Sequence, residues 1–236
     1  MKEKRMNQPT NPTKHGTKKR RKLRLNAGQI ILLLGLLLCA GMLAVFGAYY
    51  SSENQRIQSQ YAEEAARAKQ TIDSKLNAFK NNTTIRSYID EYSAEFHVHP
   101  AYIAAIILNE SSFRTDATSS VGAMGLMQLL PSSGEWIAPK IGIYDYTDDL
   151  LYDGKTNVHM GAWYLNYLSG KFDSDPILVA CAYHAGAGNV QSWLSKYSTD
   201  GKTLTFDQIP YDNTRTYAKR VVETYDLYLR NFYPES

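Results

Sequence analysis

Glu110 is the residue whose setting first suggests chemistry, because it closes the apolar run Ile106-Ile107-Leu108-Asn109 and precedes Ser111-Ser112-Phe113. A carboxylate is expensive to bury unless it is paired or protonated. Desolvation raises its pKa and can keep it an acid near neutrality, the state that protonates the leaving oxygen of a glycosidic bond. Taken alone, the segment suits a solvated Glu at a helix end equally well. Further polar groups stand in patterned segments: Gln128 in Val121-Gly122-Ala123-Met124-Gly125-Leu126-Met127-Gln128-Leu129-Leu130-Pro131, and Tyr183 and His184 in Ala182-Tyr183-His184-Ala185-Gly186-Ala187-Gly188-Asn189. Gln128 has two donors and two acceptors to offer a polar ligand; a surface Gln is the plain alternative.

Glycosidases ordinarily work with two carboxylates, about 5–5.5 Å apart for retention or about 6.5–9.5 Å for inversion. The acid nearest to Glu110 is Asp116, in a loop with Thr, Ser and Arg that reads as solvated. Metal chemistry is not expected. His97-Val98-His99 resembles half a site, but His159 and His184 fall in separate elements, His99 precedes Pro100 as a helix cap would, and structural zinc takes four converging ligands. Cys39 and Cys181 cannot form a disulfide framework, and Cys181, in Val179-Ala180-Cys181-Ala182, reads as a small buried hydrophobe. No cofactor is expected.

The elements that must position these groups read as helices. Ile85, Ile89, Tyr92 and Phe96 mark one; Pro100 opens a second that buries Ile103, Ile106 and Ile107; a Gly-containing loop follows over 115–125. Helices are then predicted around Val158, Ala162, Leu165 and Leu168, over 176–185, over 190–197, and around Tyr217, Val221, Tyr225 and Tyr228. Little alternates with period two, so the class is mainly α.

Ahead of this domain the charge divides sharply. Of the 26 Lys and Arg, ten fall in residues 1–28 against the single acid Glu3, which makes this arm +9 and leaves −6 on the remainder, so the chain's +3 describes neither part. An acidic body argues against nucleic acid as a partner. Residues 30–50 hold no charge and span roughly 31 Å as a helix, enough for a hydrocarbon core of about 30 Å. Val45 and Gly47 make a poor cleavage pair, Tyr49 and Tyr50 suit a membrane interface, and Leu36-Leu37-Leu38 before Cys39 disfavours acylation. The reading is therefore an uncleaved single-pass anchor, with the basic arm cytoplasmic and the rest extracytoplasmic. Residues 51–80 lack Gly and Pro and carry an apolar stripe from Ile57 through Tyr61, Ala65, Ala68, Ile72 and Leu76 to Phe79, a helical stalk that could dimerise as a coiled coil or dock on the domain. Asn81-Asn82-Thr83-Thr84 breaks the pattern and offers a cap. The expected organisation is a basic arm over 1–28, a transmembrane helix over 29–50, a stalk over 51–82 and a catalytic domain over 83–236.

The Gly125-Leu126-Met127-Gln128-x-x-Pro131 element and the Ala182-Tyr183-His184-Ala185-Gly186 element resemble those of the soluble lytic transglycosylases, a lysozyme-like family acting on peptidoglycan in the bacterial wall. Glu110-Ser111-Ser112-Phe113, Asn157-x-x-x-Gly161-x-x-Tyr164-Leu165 and Thr214-Arg215-Thr216-Tyr217 complete five motifs in the family's order over roughly 85–232. The resemblance implies that Glu110 is a single catalytic carboxyl. It would protonate the oxygen between N-acetylmuramic acid and N-acetylglucosamine, then deprotonate the muramoyl C6 hydroxyl, which captures the anomeric carbon as a 1,6-anhydro ring. It further implies substrate contacts from Ser119, Gln128, Tyr183, His184 and Tyr217, although Ser119 could equally be a turn residue and Tyr217 belongs to an apolar stripe. The implied partners are glycan strands, the membrane, and a wall-spanning apparatus that nothing in the sequence identifies. Three positions depart from the family: His184 for Asn, Ala187 for Pro and Asn213 for Glu. Asn213 carries no charge to tune Glu110, and His184 could bring a pH dependence of its own. A hydrolytic muramidase and a non-catalytic wall-binding protein on the same fold are the alternatives.

Overall fold

The structure is a computed structural model that describes residues 25–234; most of the basic arm, residues 1–24, lies outside the described residues. The chain divides into two compact units, Met1–Glu64 and Ala65–Ser236. The described part of the first unit is helical from Ala27 and belongs to α1 (Ala27–Asn81). Over 30–50 this helix is apolar on every face and its side chains stand exposed, Leu37 by 67% and Leu43 by 72%. A helix apolar all round needs lipid or a core to cover it, and this one is long and apolar enough to cross a membrane.

Among its described residues the second unit is built of helices, with isolated bridges Thr118↔Met124 and Met124↔Leu129 inside one loop. It holds the last turns of α1, then α2 (Thr83–Phe96), α3 (Pro100–Ser111), α4 (Pro131–Ile137), α5 (Gly154–Lys171), α6 (Pro176–Ala185), α7 (Ala187–Tyr197) and α8 (Asp212–Phe232). At the centre stands α3, whose residues 101 and 103–107 are fully buried between α8 and α2. The starts of these helices follow cap chemistry. His99 Nδ1 accepts from the Ala101 amide at 3.2 Å ahead of Pro100. Asp175 Oδ1 accepts from the Ile177 and Leu178 amides at 2.8 and 2.9 Å ahead of Pro176. The seven-residue helix α4 and the 3₁₀ turns at Ala138–Ile141, Asp148–Tyr152 and Phe206–Gln208 carry too few residues for a periodic signal.

Asn82 ends α1 as expected, but not as a cap for α2. Its Nδ2 instead donates back to the Ala78 carbonyl at 2.7 Å and closes the helix it follows. The turns just before it carry Phe79, fully buried against Tyr228 at 5.0 Å, Phe232 at 4.8 Å and Phe113 at 6.3 Å between ring centroids. Tyr228 also donates its hydroxyl to the Lys75 carbonyl at 2.9 Å. The end of α1 is therefore part of this core.

Phe79→Ala should remove about 3–5 kcal/mol of stability by opening a cavity at this junction. Thermal unfolding of the full chain in detergent would show a midpoint lowered by roughly 10 °C, at about 2–4 °C per kcal/mol for a unit of this size.

Candidate functional site

The last turn of α3 delivers Glu110 to the floor of a groove of about 530 Å³, where it is the sole carboxylate among the lining residues. From α8, the buried Tyr217 donates its hydroxyl to Glu110 Oε1 at 2.6 Å. Burial pushes the Glu110 pKa up to about 7, against the opposing pull of the Tyr217 hydrogen bond and of Arg220. Tyr217 itself is held far above the usual phenol range by burial and by Glu110, so it stays a donor. With Oε1 accepting from Tyr217, Oε2 is the oxygen left to carry a proton.

The groove is also lined by the segment 112–130, whose backbone closes on itself through the pairs Met124–Leu129 and Gly125–Ala117 and is tied to the helices by one buried amide. Asn157, at the start of α5 and fully buried, accepts the Met127 amide on Oδ1 at 2.7 Å. Its Nδ2 donates to the carbonyls of Met124 at 3.0 Å and Leu151 at 2.8 Å. Gly125 has φ +78° and lies so close to Leu151 and Asn157 that no side chain fits, and Gly161 is pressed against Met127 in the same way. Tyr183, from α6, donates its hydroxyl to the Met127 carbonyl at 2.7 Å.

Of the residues singled out in the sequence, Glu110, Ser119, Gln128, Tyr183 and His184 all line the groove. Gln128 reaches it from a left-handed backbone, φ 49°, and its Nε2 already donates to the Ala117 and Gly125 carbonyls, each at 3.0 Å. Its donors are thus spent on the loop, a correction to the expectation that they serve a ligand; the acceptor Oε1 remains. Ser119 Oγ accepts from the Ala123 amide at 2.9 Å, which makes it a turn residue and a groove residue at once. Tyr217, expected in the cleft, lies behind Glu110 and does not line the groove. His184 Nδ1 is 3.1 Å from Thr214 Oγ1 and its ring lies 4.6 Å from that of Tyr217. Burial and Arg220 lower its pKa, so it is neutral at pH 7. Asn213 Oδ1 accepts from the Thr214 amide at 2.8 Å.

Of the other histidines, His159 stacks on Tyr92 at 4.4 Å and His99 caps α3. Asp116 is exposed, and Cys181 is buried with its thiol pushed up to about 12. Asn157 and Tyr164 stand in one of the patterned segments but carry no role from the sequence, and Ser133 and Arg220 stand in none. For Asn157 the available signal was an amide beside the apolar positions Val158, Ala162 and Leu165 of a helix.

The transglycosylase SLT domain family matches residues 87–206. The soluble lytic murein transglycosylase of Escherichia coli K12 is 34% identical over 143 residues, covering 60% of this chain and 22% of that protein. The membrane-bound lytic murein transglycosylase E of Buchnera aphidicola is 34% identical over 149 residues, covering 56% of this chain and 68% of that one. The solved structure of the 70 kDa soluble lytic transglycosylase of Escherichia coli aligns with a TM-score of 0.57 at 30% identity, covering 61% of this chain and 24% of that one. An inactive Glu-to-Gln mutant of lytic transglycosylase Slt from Pseudomonas aeruginosa aligns with a TM-score of 0.56 at 32% identity and the same coverage. The chain spans less than a quarter of the length of the soluble relatives.

Because the Glu110 pKa in the fold lies above its ordinary 4.5, its contribution to stability is complete below about pH 4.5 and is lost as the pH rises towards 7. Glu110→Gln should therefore match the parent chain at pH 4.5 and exceed it by about 3 kcal/mol above pH 7. Unfolding midpoints across that range check this.

Proposed function

The chain belongs to the transglycosylase SLT domain family, and we propose that it is a peptidoglycan lytic transglycosylase in which Glu110 is the single acid and base. The observation that carries this is the buried Glu110, its pKa pushed up to about 7, as the sole carboxylate lining the groove, with one oxygen engaged by Tyr217. In the first step Glu110 gives its proton to the oxygen leaving the anomeric carbon of N-acetylmuramic acid, and the N-acetylglucosamine hydroxyl departs. The resulting carboxylate is stabilised by Tyr217 and Arg220. It then takes the proton of the muramoyl C6 hydroxyl as that oxygen bonds to the anomeric carbon. The 1,6-anhydro ring forms and Glu110 is an acid again, so no second carboxylate is needed to activate water. Ser119, the Gln128 carbonyl oxygen, Tyr183 and His184 hold the sugars in the groove. The inactive Glu-to-Gln mutant among the related structures supports the assignment by analogy.

The organisation proposed with this activity is the basic arm over 1–28 in the cytoplasm, a single membrane span over 29–50, a stalk over 51–82 and the catalytic domain over 83–236 facing the wall from a bacterial membrane. The relatives include both soluble and membrane-bound lytic murein transglycosylases. Protease added to intact spheroplasts should remove the domain and leave an epitope placed before Lys18 intact; loss of that epitope would reverse the orientation.

Digestion of purified sacculi by the full chain should release muropeptides with anhydro ends, and Glu110→Gln should lower the yield by at least about a hundredfold, the scale of a lost general acid. Activity should decline as the pH rises above about 7, where Glu110 loses the proton it donates. Mass spectra showing reducing muramic ends would point instead to hydrolysis, and sugar binding without turnover to a wall-binding protein.

A further inference from the structure

The groove does not end at the residues that surround Glu110. On α4 its lining stripe runs from Leu130 to Ser133, and the next position three residues on is Trp136, exposed by 39%. On α5 the groove residue Tyr164 lies 6.3 Å from the Trp136 ring, centroid to centroid. Two separate elements thus bring the indole to the end of the groove. It is also held rigidly. Trp163 and Tyr167 lie nearly parallel, 9° apart, as do Tyr164 and Tyr167, 16° apart, so the rings of α5 form one layer. Trp136 meets each of them edge-on, at 70° to Trp163, 86° to Tyr164 and 71° to Tyr167. Two ammonium groups flank the cluster, Lys140 Nζ 4.3 Å from the Trp136 ring centre and Lys171 Nζ 4.9 Å from that of Tyr167. The ring that the cluster leaves open to solvent is thus fixed in orientation by three neighbours.

We propose that this aromatic shoulder holds a second sugar of the same glycan strand, away from the bond that Glu110 acts on. The inference rests on the glycan substrate proposed above. The occupant follows from continuity with the groove: a polymer threaded past Tyr183 and Tyr164 is carried onto Trp136. Its chemistry also fits, since the apolar C–H face of a pyranose packs on an indole while Lys140 and Lys171 offer donors to hydroxyls and to the carboxylates of the wall polymer. The shoulder would make the enzyme prefer long strands without touching the reacting atoms.

The test uses the full chain in detergent with Glu110→Gln to prevent turnover, titrated with the N-acetylglucosaminyl-N-acetylmuramic acid disaccharide and with a soluble strand of eight sugars. Trp136→Ala should weaken binding of the eight-sugar strand by about tenfold and leave the disaccharide unchanged, while Trp136→Phe should recover part of the loss. In the parent background the same substitution should raise KM on long strands with kcat held. Equal loss for both ligands together with a lowered unfolding midpoint would assign Trp136 to packing and overturn the shoulder, as would undiminished binding of the long strand. Failure of the Glu110→Gln chain to bind either ligand would overturn the glycan substrate and the shoulder with it. A hydrolytic product from the active enzyme would leave the shoulder standing.

Discussion

A carboxyl group stationed at the end of a buried apolar helix is the constraint around which this structure is arranged. An ionised Glu110 would be costly there, and the fold answers with one short hydrogen bond from Tyr217 and the nearby charge of Arg220. Neither is strong enough to return the group to its ordinary pKa, and that incomplete compensation is what makes it useful. A fully paired Glu110 would be a permanent anion, and an unsupported one would be a permanent acid. Between those limits it can give a proton and take one back within a single cycle.

The second requirement is that whatever faces Glu110 should not move. The segment 112–130 is held by hydrogen bonds of its own backbone, among them the Met124–Leu129 pair, and side chains of other helices tie it to the core at Met124 and Met127. Asn157 uses both donor hydrogens and its acceptor for this purpose, and Tyr183 closes the Met127 carbonyl. The close approach this demands leaves no room for a Cβ at Gly125 or Gly161. Three of the patterned segments of the sequence are thereby parts of one mechanical clamp.

Much of this could be read from the chain. The helical periods around Ile85, Val158 and Tyr217 correspond to α2, α5 and α8, Pro100 and Pro176 mark helix starts, and the apolar run before Glu110 is the central helix. What could not be read depends on contacts between distant residues. Nothing local to Gln128 says that its amide nitrogen is occupied by Ala117 and Gly125, and nothing local to Tyr217 says whether its hydroxyl faces the groove or the acid. Asn82 shows the same limit at short range. A good cap residue between two helices can serve either, and here it serves the one behind it. The aromatic cluster was invisible for a related reason, because Trp163 stands between the positions that define its segment and Trp136 lies five residues beyond Pro131.

The burial of Phe79 against Tyr228 and Phe232 also orders events during synthesis. The first and last helical turns of the unit form one hydrophobic knot, and the bond from Tyr228 to Lys75 closes a loop of 153 residues. A chain emerging from the ribosome can bring Lys75 and Phe79 against Tyr228 and Phe232 only after the residues between them have been made. Until α8 packs, Phe79 lacks two of its ring partners, and Glu110 lacks the Tyr217 hydroxyl beside it. A chain that stops short of α8 therefore carries the glutamate without the neighbour that holds its carboxyl in place.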